Sequence, residues 1–334
     1  MSIGDTFTFP PEQQKARRRM IRLCWLSSAL LLSGAAFLFL TVGNSQSMKT
    51  AWMTDLLTIL PPLSLVFALR YELRPSTKRF PFGYTRATSI AFLVTAAALT
   101  MMGLFLFIDS GLKLVRREHP AIGSMSLFGR EFWAGWAMIV ALFYSMSIGI
   151  MLGKLKQPVA KILNSKALAA DATSNSAEWK SEGSAILGLT LVAFGLWWGD
   201  AAAALFISFE VIHEGVLNAR LVLGDLMDES PTTREGKDLE PLPERVRRAA
   251  EEIGWVKRAA VRLREHGHAV TGEVFVVPTD PDNGALRRVE EVGERLRRVD
   301  WRLHDLVVVL TPEIEEVEPP VVGGRRLSAA SARN

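Results

Sequence analysis

The sequence predicts a polytopic α-helical membrane protein with six transmembrane helices, followed by a small α+β domain of ferredoxin-like αββαβ order. Two observations lead to this fold class. Long apolar runs dominate the 334-residue chain up to about residue 226, and the remainder is charged like an ordinary soluble domain. Runs of about 20 residues are long enough to cross the hydrocarbon core of a bilayer. The basic residues cluster at the ends of these runs, which is typical of membrane topology rather than of nucleic-acid binding.

The first apolar run follows a basic stretch but is too long for a signal-peptide core, so it is interpreted as a retained helix. Pro61 and Pro62 predict a kink near the middle of helix 2. The Lys and Arg bias of the loops favours cytoplasmic N- and C-termini, and the short loops favour a bacterial inner membrane. The six spans are predicted at about 20–42, 50–70, 86–114, 131–153, 164–195 and 199–226.

The periodicity of the sequence changes after the last span. An amphipathic helix at 243–253 precedes strands at 256–264 and 271–277, and a second helix at 286–299 precedes a strand at 306–310. This order predicts a sheet with both helices on one face. The predicted divisions are an N-terminal cytoplasmic arm at 1–19, a membrane domain at 20–226, a linker at 227–243, a cytoplasmic domain at 244–316 and a disordered tail at 317–334.

Several classes of function are disfavoured by the composition. The single cysteine, Cys24, lies in an apolar run, so it provides neither a disulfide framework nor a cysteine-type zinc site. The sequence shows no phosphate-binding loop, no HExxH motif and no Ser/His/Asp set, so an enzyme is not expected.

Several segments carry a resemblance to a known family. These are FPFGYTRATSIAFLV at 80–94, ALAADA at 167–172, WWGDAAAALFISFEVIHEG at 197–215 and GDLMDESP at 224–231. Together with the six spans and the αββαβ domain, they resemble the cation diffusion facilitator family from helix 1 to about Pro312. The resemblance implies export of a divalent metal ion in exchange for protons, by a homodimer that uses alternating access and dimerises through the cytoplasmic domain.

The family's transport site combines an acidic pair on helix 2 with an HxxxD or DxxxD pair on helix 5. Here helix 2 supplies Asp55, and Ile59 stands where the resemblance requires the second ligand. On helix 5, Ser174 and Glu178 fall at the two family positions. An ionisable side chain inside a span is costly, which favours a functional role for Asp55 and Glu178 over a hydrated one.

Helix 5 also carries a longer polar stripe. Its members Asp171, Asn175, Glu178 and Glu182 follow the spacing i, i+4, i+7 and i+11, which places them on one helix face. Asn175 or Glu182 is therefore a candidate substitute for the two missing family ligands. The alternative interpretation is a helix face that lines water near the cytoplasmic mouth.

No histidine lies on helix 2 or helix 5, so the candidate site consists of oxygen ligands. Oxygen ligands suit manganese, iron or magnesium better than zinc, which prefers nitrogen and sulfur. The leading hypothesis is a proton-coupled exporter with the metal as substrate and no cofactor, in which lipid and protons are the other partners. The missing ligands at Ile59 and Ser174 motivate a second hypothesis, a transport-deficient homologue that acts as a dimer partner, scaffold or metal sensor.

Overall fold

The computed structural model describes residues 9–314, except 73, 75, 121, 128–129, 235, 237 and 281–284. The chain divides into two compact units. One comprises residues 1–240 together with 264–270, and the other comprises residues 241–263 and 271–334. The predicted tail at 317–334 and the first eight residues of the predicted N-terminal arm lie outside the described residues.

Long helices make up the first unit. They are α1 Pro11–Thr41, α2 Gln46–Thr58, α3 Leu60–Glu72, α4 Ala87–Val115, α5 Gly135–Leu163, α6 Lys166–Ala193 and α7 Trp198–Leu226. With α2 and α3 taken as one interrupted span, they match the six predicted helices in number and order. Within the described residues, four spans are long and apolar enough to cross a membrane, namely 11–41, 46–72, 87–115 and 135–163. The helices α6 and α7 are similarly long, at 28 and 29 residues, and carry buried acidic side chains.

The kink predicted for helix 2 is confirmed as a break between α2 and α3. The helix is interrupted at Ile59, two residues before Pro61. Proline has no backbone N–H and its ring clashes with the preceding turn, so a helix cannot continue undisturbed through two of them. The break lies one turn after Asp55 and so ends the helix that carries this acidic residue.

The start of α2 is fixed by a buried carboxylate from another helix. Asp200 of α7 is 1% exposed and accepts hydrogen bonds from the backbone nitrogens of Gln46, at 2.5 Å, and Ser47, at 3.1 Å. The hydroxyls of Ser45 and Ser47 donate to the same carboxylate. These bonds satisfy backbone groups that a helix N-terminus leaves free, and the carboxylate also complements the helix dipole.

The boundaries of two predicted helices are corrected by the structure. The first helix begins at Pro11, so the second half of the predicted arm is helical. Helix 4, predicted at 131–153, is wrong at both ends. Residues 130–133 form a strand, β2 Arg130–Trp133, which pairs antiparallel with β1 Ser124–Leu127, and α5 runs on to Leu163. Lysines and a proline follow residue 153, but the buried face of α5 continues past Pro158 through Val159, Ala160 and Leu163.

Burial in the helical unit is inverted relative to a water-soluble protein. Large apolar side chains face outward, such as Met101 at 72%, Val94 at 65% and Leu187 at 60% exposed. Ionisable side chains face inward, including Lys156 at 0% and Asp55 at 1% exposed. A lipid-exposed helix bundle has this arrangement because charged groups in membranes face the bundle interior. The prediction of a polytopic helical membrane protein is therefore confirmed.

The second unit contains the predicted αββαβ elements. They are α8 Leu242–Glu251, β3 Val256–His266, β4 Ala269–Pro278, α9 Ala285–Arg297 and β5 Leu303–Leu310, with the sheet order β3-β4-β5. The tip of the β3–β4 hairpin, residues 264–270, belongs to the first unit. The core of the second unit is formed by Val246 of α8, Val274 and Val276 of β4, Val292 of α9 and Leu306 of β5, all at most 2% exposed.

Candidate functional site

The polar stripe predicted on the fifth membrane helix lies on the buried face of α6. Asp171, Asn175, Glu178 and Glu182 are 3%, 1%, 6% and 1% exposed. The stripe extends over eleven residues, about 16 Å along the helix axis. We call Asp171, Asn175, Glu178 and Glu182 the α6 stripe. Carboxylates in a bundle interior are costly and mark ion or proton pathways.

Asp55 of α2 meets one end of the α6 stripe. The hydroxyl of Ser145, on α5, donates a hydrogen bond to Asp55 Oδ2. Glu182 of α6 also interacts electrostatically with the Asp55 carboxyl group. Three helices thus bring two acidic side chains and one hydroxyl to the same region of the bundle interior.

Glu178 lies one helical turn before Glu182 on α6 and has no hydrogen bond to either carboxylate oxygen among the described residues. Its carboxyl group packs against the backbone of Gly149 in α5. A Cβ atom at that position would overlap Glu178 Oε2 and would lie 2.7 Å from Cδ of Glu178 and 2.9 Å from the backbone oxygen of Asn175. Glycine at position 149 is therefore what allows α5 to approach the α6 stripe so closely at Glu178.

The other end of the α6 stripe is neutralised by a buried ion pair. Lys156 Nζ, on α5, lies 2.7 Å from Asp171 Oδ2, and both side chains are at most 2% exposed. Asn175 Nδ2 donates to Asp171 Oδ1 at 2.9 Å and to the backbone oxygen of Asp171 at 2.5 Å. Asp171 is thereby engaged on both oxygens.

The oxygens that lack a partner are concentrated on the α6 stripe. Among the described residues, Asn175 Oδ1, both Glu178 oxygens and Glu182 Oε2 are buried without a hydrogen bond. Buried oxygens without partners are costly, so water or a cation is the expected occupant of this region. In the part of the chain that the structure describes, no three acidic, histidine or cysteine side chains converge into a preformed metal cluster. The acidic groups are spread along a path rather than gathered at one point.

The remaining sequence-predicted positions lie outside this group. Ile59 is 8% exposed and packs in an apolar cluster with Leu31, Ile148 and Leu152. Ser174 is half-buried and lies outside the buried α6 stripe.

Two residues near the α6 stripe were missed from the sequence. Lys156 lies beyond the predicted end of helix 4 at residue 153, so the sequence places its charge in a loop. A signal was present, since Gly149, Gly153, Lys156 and Ala160 follow helical spacing along one buried face of α5. Ser145 was missed because a serine in an apolar run carries no distinguishing pattern.

Comparisons with known proteins agree with this architecture. The sequence model of the family described as the cation efflux transmembrane domain matches residues 20–227, more than half of the chain. Among curated relatives, a cation-efflux pump FieF from Klebsiella pneumoniae is 25% identical over 222 residues, covering 66% of this chain and 69% of the relative. Its counterpart in Yersinia enterocolitica is 23% identical over 199 residues, covering 59% of this chain. This match spans only 61% of the Yersinia protein's length.

Proposed function

The chain belongs to the cation efflux family of membrane transporters, and from this premise we propose that it exports a divalent metal ion in exchange for protons. The observation that carries the proposal is a row of buried acidic side chains, Asp55, Glu178 and Glu182, with unpartnered carboxylate oxygens in a helix bundle. The similarity to relatives named cation-efflux pumps supports the same direction of transport.

The donor set favours a hard ion. Asp55, Glu178 and Glu182 offer carboxylate oxygens, with the Ser145 hydroxyl as a neighbour. Manganese, iron and magnesium accept such ligands, whereas zinc prefers nitrogen and sulfur. Asp171 and Asn175 lie on the same face of α6, at the end that pairs with Lys156. Ser174 is not a ligand in this proposal.

Proton exchange follows from the buried carboxyl groups of Asp55 and Glu182. A metal ion binds carboxylates in their deprotonated form, so its arrival releases any proton that they hold. When the ion leaves, the buried carboxyl groups take up a proton again. The two states, one with metal and one with a proton, are the minimum that exchange requires.

The assembly and topology are part of the same proposal. We propose a homodimer formed through the second unit, with N- and C-termini in the cytoplasm of a bacterium and the helices in its inner membrane. The bias of Lys and Arg among the loops supports this orientation.

The direct test is metal-driven proton movement in vesicles. The purified full chain is reconstituted with a pH-sensitive dye inside, and manganese, iron(II), magnesium or zinc is added outside. We expect a response to at least one hard ion that is lost in Asp55→Asn and in Glu178→Gln. Glu210→Gln is the matched control, because Glu210 of α7 is partly exposed and pairs with Lys180 at 3.4 Å. Equal responses from Glu178→Gln and wild type would refute the proposed site.

A second function is favoured by one observation. Ile59, at a family ligand position, lies in an apolar cluster instead of facing a ligand set. A transport-deficient member that serves as a dimer partner, scaffold or metal sensor would show this feature. It would bind metal or partner without moving protons, so tight vesicles that respond to none of the four ions would favour this function.

A further inference from the structure

Lys156 is a buried cation whose bonding is incomplete. Its side chain is 0% exposed and forms an ion pair with Asp171 at 2.7 Å, yet its ammonium makes no hydrogen bond of good geometry among the described residues. An ammonium group has three N–H donors. Asp200 shows what a fully satisfied buried charge looks like in this protein, since four donors surround it. A lysine retained only to join two helices would be expected to have a similarly complete shell.

Lys156 also lies on the same face as the proposed cation site. It follows Gly149, which contacts Glu178, by seven residues on α5, and its partner Asp171 precedes Glu178 by seven residues on α6. Two helical turns correspond to about 10 Å. Both Lys156 and Asp171 interact electrostatically with the Glu178 carboxylate. The ammonium is therefore a fixed positive charge within reach of any cation held at Glu178.

Asp171 and Asn175 present oxygen atoms that can bind a small cation. One Asp171 oxygen takes the ammonium of Lys156, and the amide oxygen of Asn175 is buried beside it without a partner. We propose that the Lys156 ammonium occupies a second cation position on the α6 stripe, formed by Asp171 and Asn175. It thereby limits the stripe to one divalent ion and sets the affinity for that ion. This inference rests on the proposed function of the Asp55, Glu178 and Glu182 group.

The charge balance determines the expected effects. A divalent ion about 10 Å from an uncompensated positive charge, at an effective dielectric constant of about 20, loses roughly 300-fold in affinity. In the wild type, Asp171 cancels most of this repulsion. Asp171→Asn leaves Lys156 without its partner, so manganese should bind at least tenfold more weakly. Lys156→Met leaves Asp171 and Asn175 open, so a second manganese ion should bind.

The test is calorimetric titration of the purified full chain with manganese alone. We expect one ion per chain for the wild type, two for Lys156→Met, and at least tenfold weaker binding for Asp171→Asn. The double variant Lys156→Met/Asp171→Asn should return to one ion with nearly wild-type affinity. The matched control is Lys154→Met, which removes the same charge from an exposed position of α5. A structural role alone would make the double variant no better than Asp171→Asn.

Three outcomes separate this inference from the proposed function. One ion in Lys156→Met with unchanged affinity overturns the inference, as does a double variant that stays as weak as Asp171→Asn. If Asp171→Asn does not fold, as judged by its elution profile, the number of ions bound by Lys156→Met still decides whether the inference holds. If the wild type binds manganese and Glu178→Gln does not, the proposed site stands whatever the lysine variants show. If the wild type binds no manganese, this inference falls, and the response of the vesicles to the other ions decides the proposed function.

Discussion

Gly149→Ala tests how the site is built without removing any ligand. The new methyl group would overlap Glu178 Oε2 and would lie 2.9 Å from the backbone oxygen of Asn175. Contacts in packed proteins are seldom closer than about 3.4 Å, so the Glu178 carboxyl group must leave its position and α5 must move by a few tenths of an ångström. Overpacking of this kind costs about 1–3 kcal/mol. With Glu178 displaced from the group, we expect manganese affinity to fall by about 10- to 100-fold.

Gly183→Ala is the matched control for this substitution. Gly183 lies on α6 directly after Glu182, and a Cβ atom there meets nothing within 4 Å. Both substitutions also remove the helix-propensity penalty of glycine, about 1 kcal/mol. Binding is measured by manganese titration, and stability by thermal unfolding in the same detergent. Wild-type affinity in Gly149→Ala, with Gly183→Ala also unchanged, would refute the packing of Glu178 against Gly149 as a requirement of the site.

Two further predictions concern single polar groups. Ser145→Ala removes the donor to Asp55, and since a hydrogen bond to a charged group contributes about 1.5–3 kcal/mol, manganese affinity should fall by roughly tenfold or more. Ser147→Ala, whose hydroxyl bonds to its own helix, should not change the affinity. In the second unit, burial alone would raise the pKa of Asp300, but hydrogen bonds and charge from Arg302, with Arg245 beyond, outweigh it and hold that pKa below its usual value. The ionised Asp300 carboxylate therefore stabilises the fold fully above the unfolded pKa of about 3.9, and this stabilisation is lost as the pH falls through the lower pKa of the folded state. Asp300→Asn should accordingly lower the Tm at about pH 6 and lower it progressively less towards about pH 3. A Tm difference independent of pH would contradict this assignment.

The helices and the second unit were predictable because their signals are local. Apolar runs, the proline pair at 61–62 and the change to strand periodicity after residue 255 each depend on a few neighbouring residues. The strands β1 and β2 were missed because they lie in a loop next to an apolar run, where a helix start and a strand look alike over four residues.

The candidate site was predictable in part, for a physical reason. Spacing alone places Asp171, Asn175, Glu178 and Glu182 on one face of α6, and the structure buries all four. Which residues face that stripe depends on how α5 and α2 pack against α6, and no local pattern encodes this. Lys156 is the clearest case, since its charge indicates a loop and only its helical spacing from Gly149 indicates a buried position.

The most direct measurement is the position of a bound ion. Crystals of the full chain grown with manganese in a lipid phase, measured near the manganese absorption edge, would give one anomalous peak per site. We expect a single peak per chain within bonding distance of the carboxylate oxygens of Asp55 and Glu178. A peak remote from both side chains would contradict the assignment of the cation site to this group.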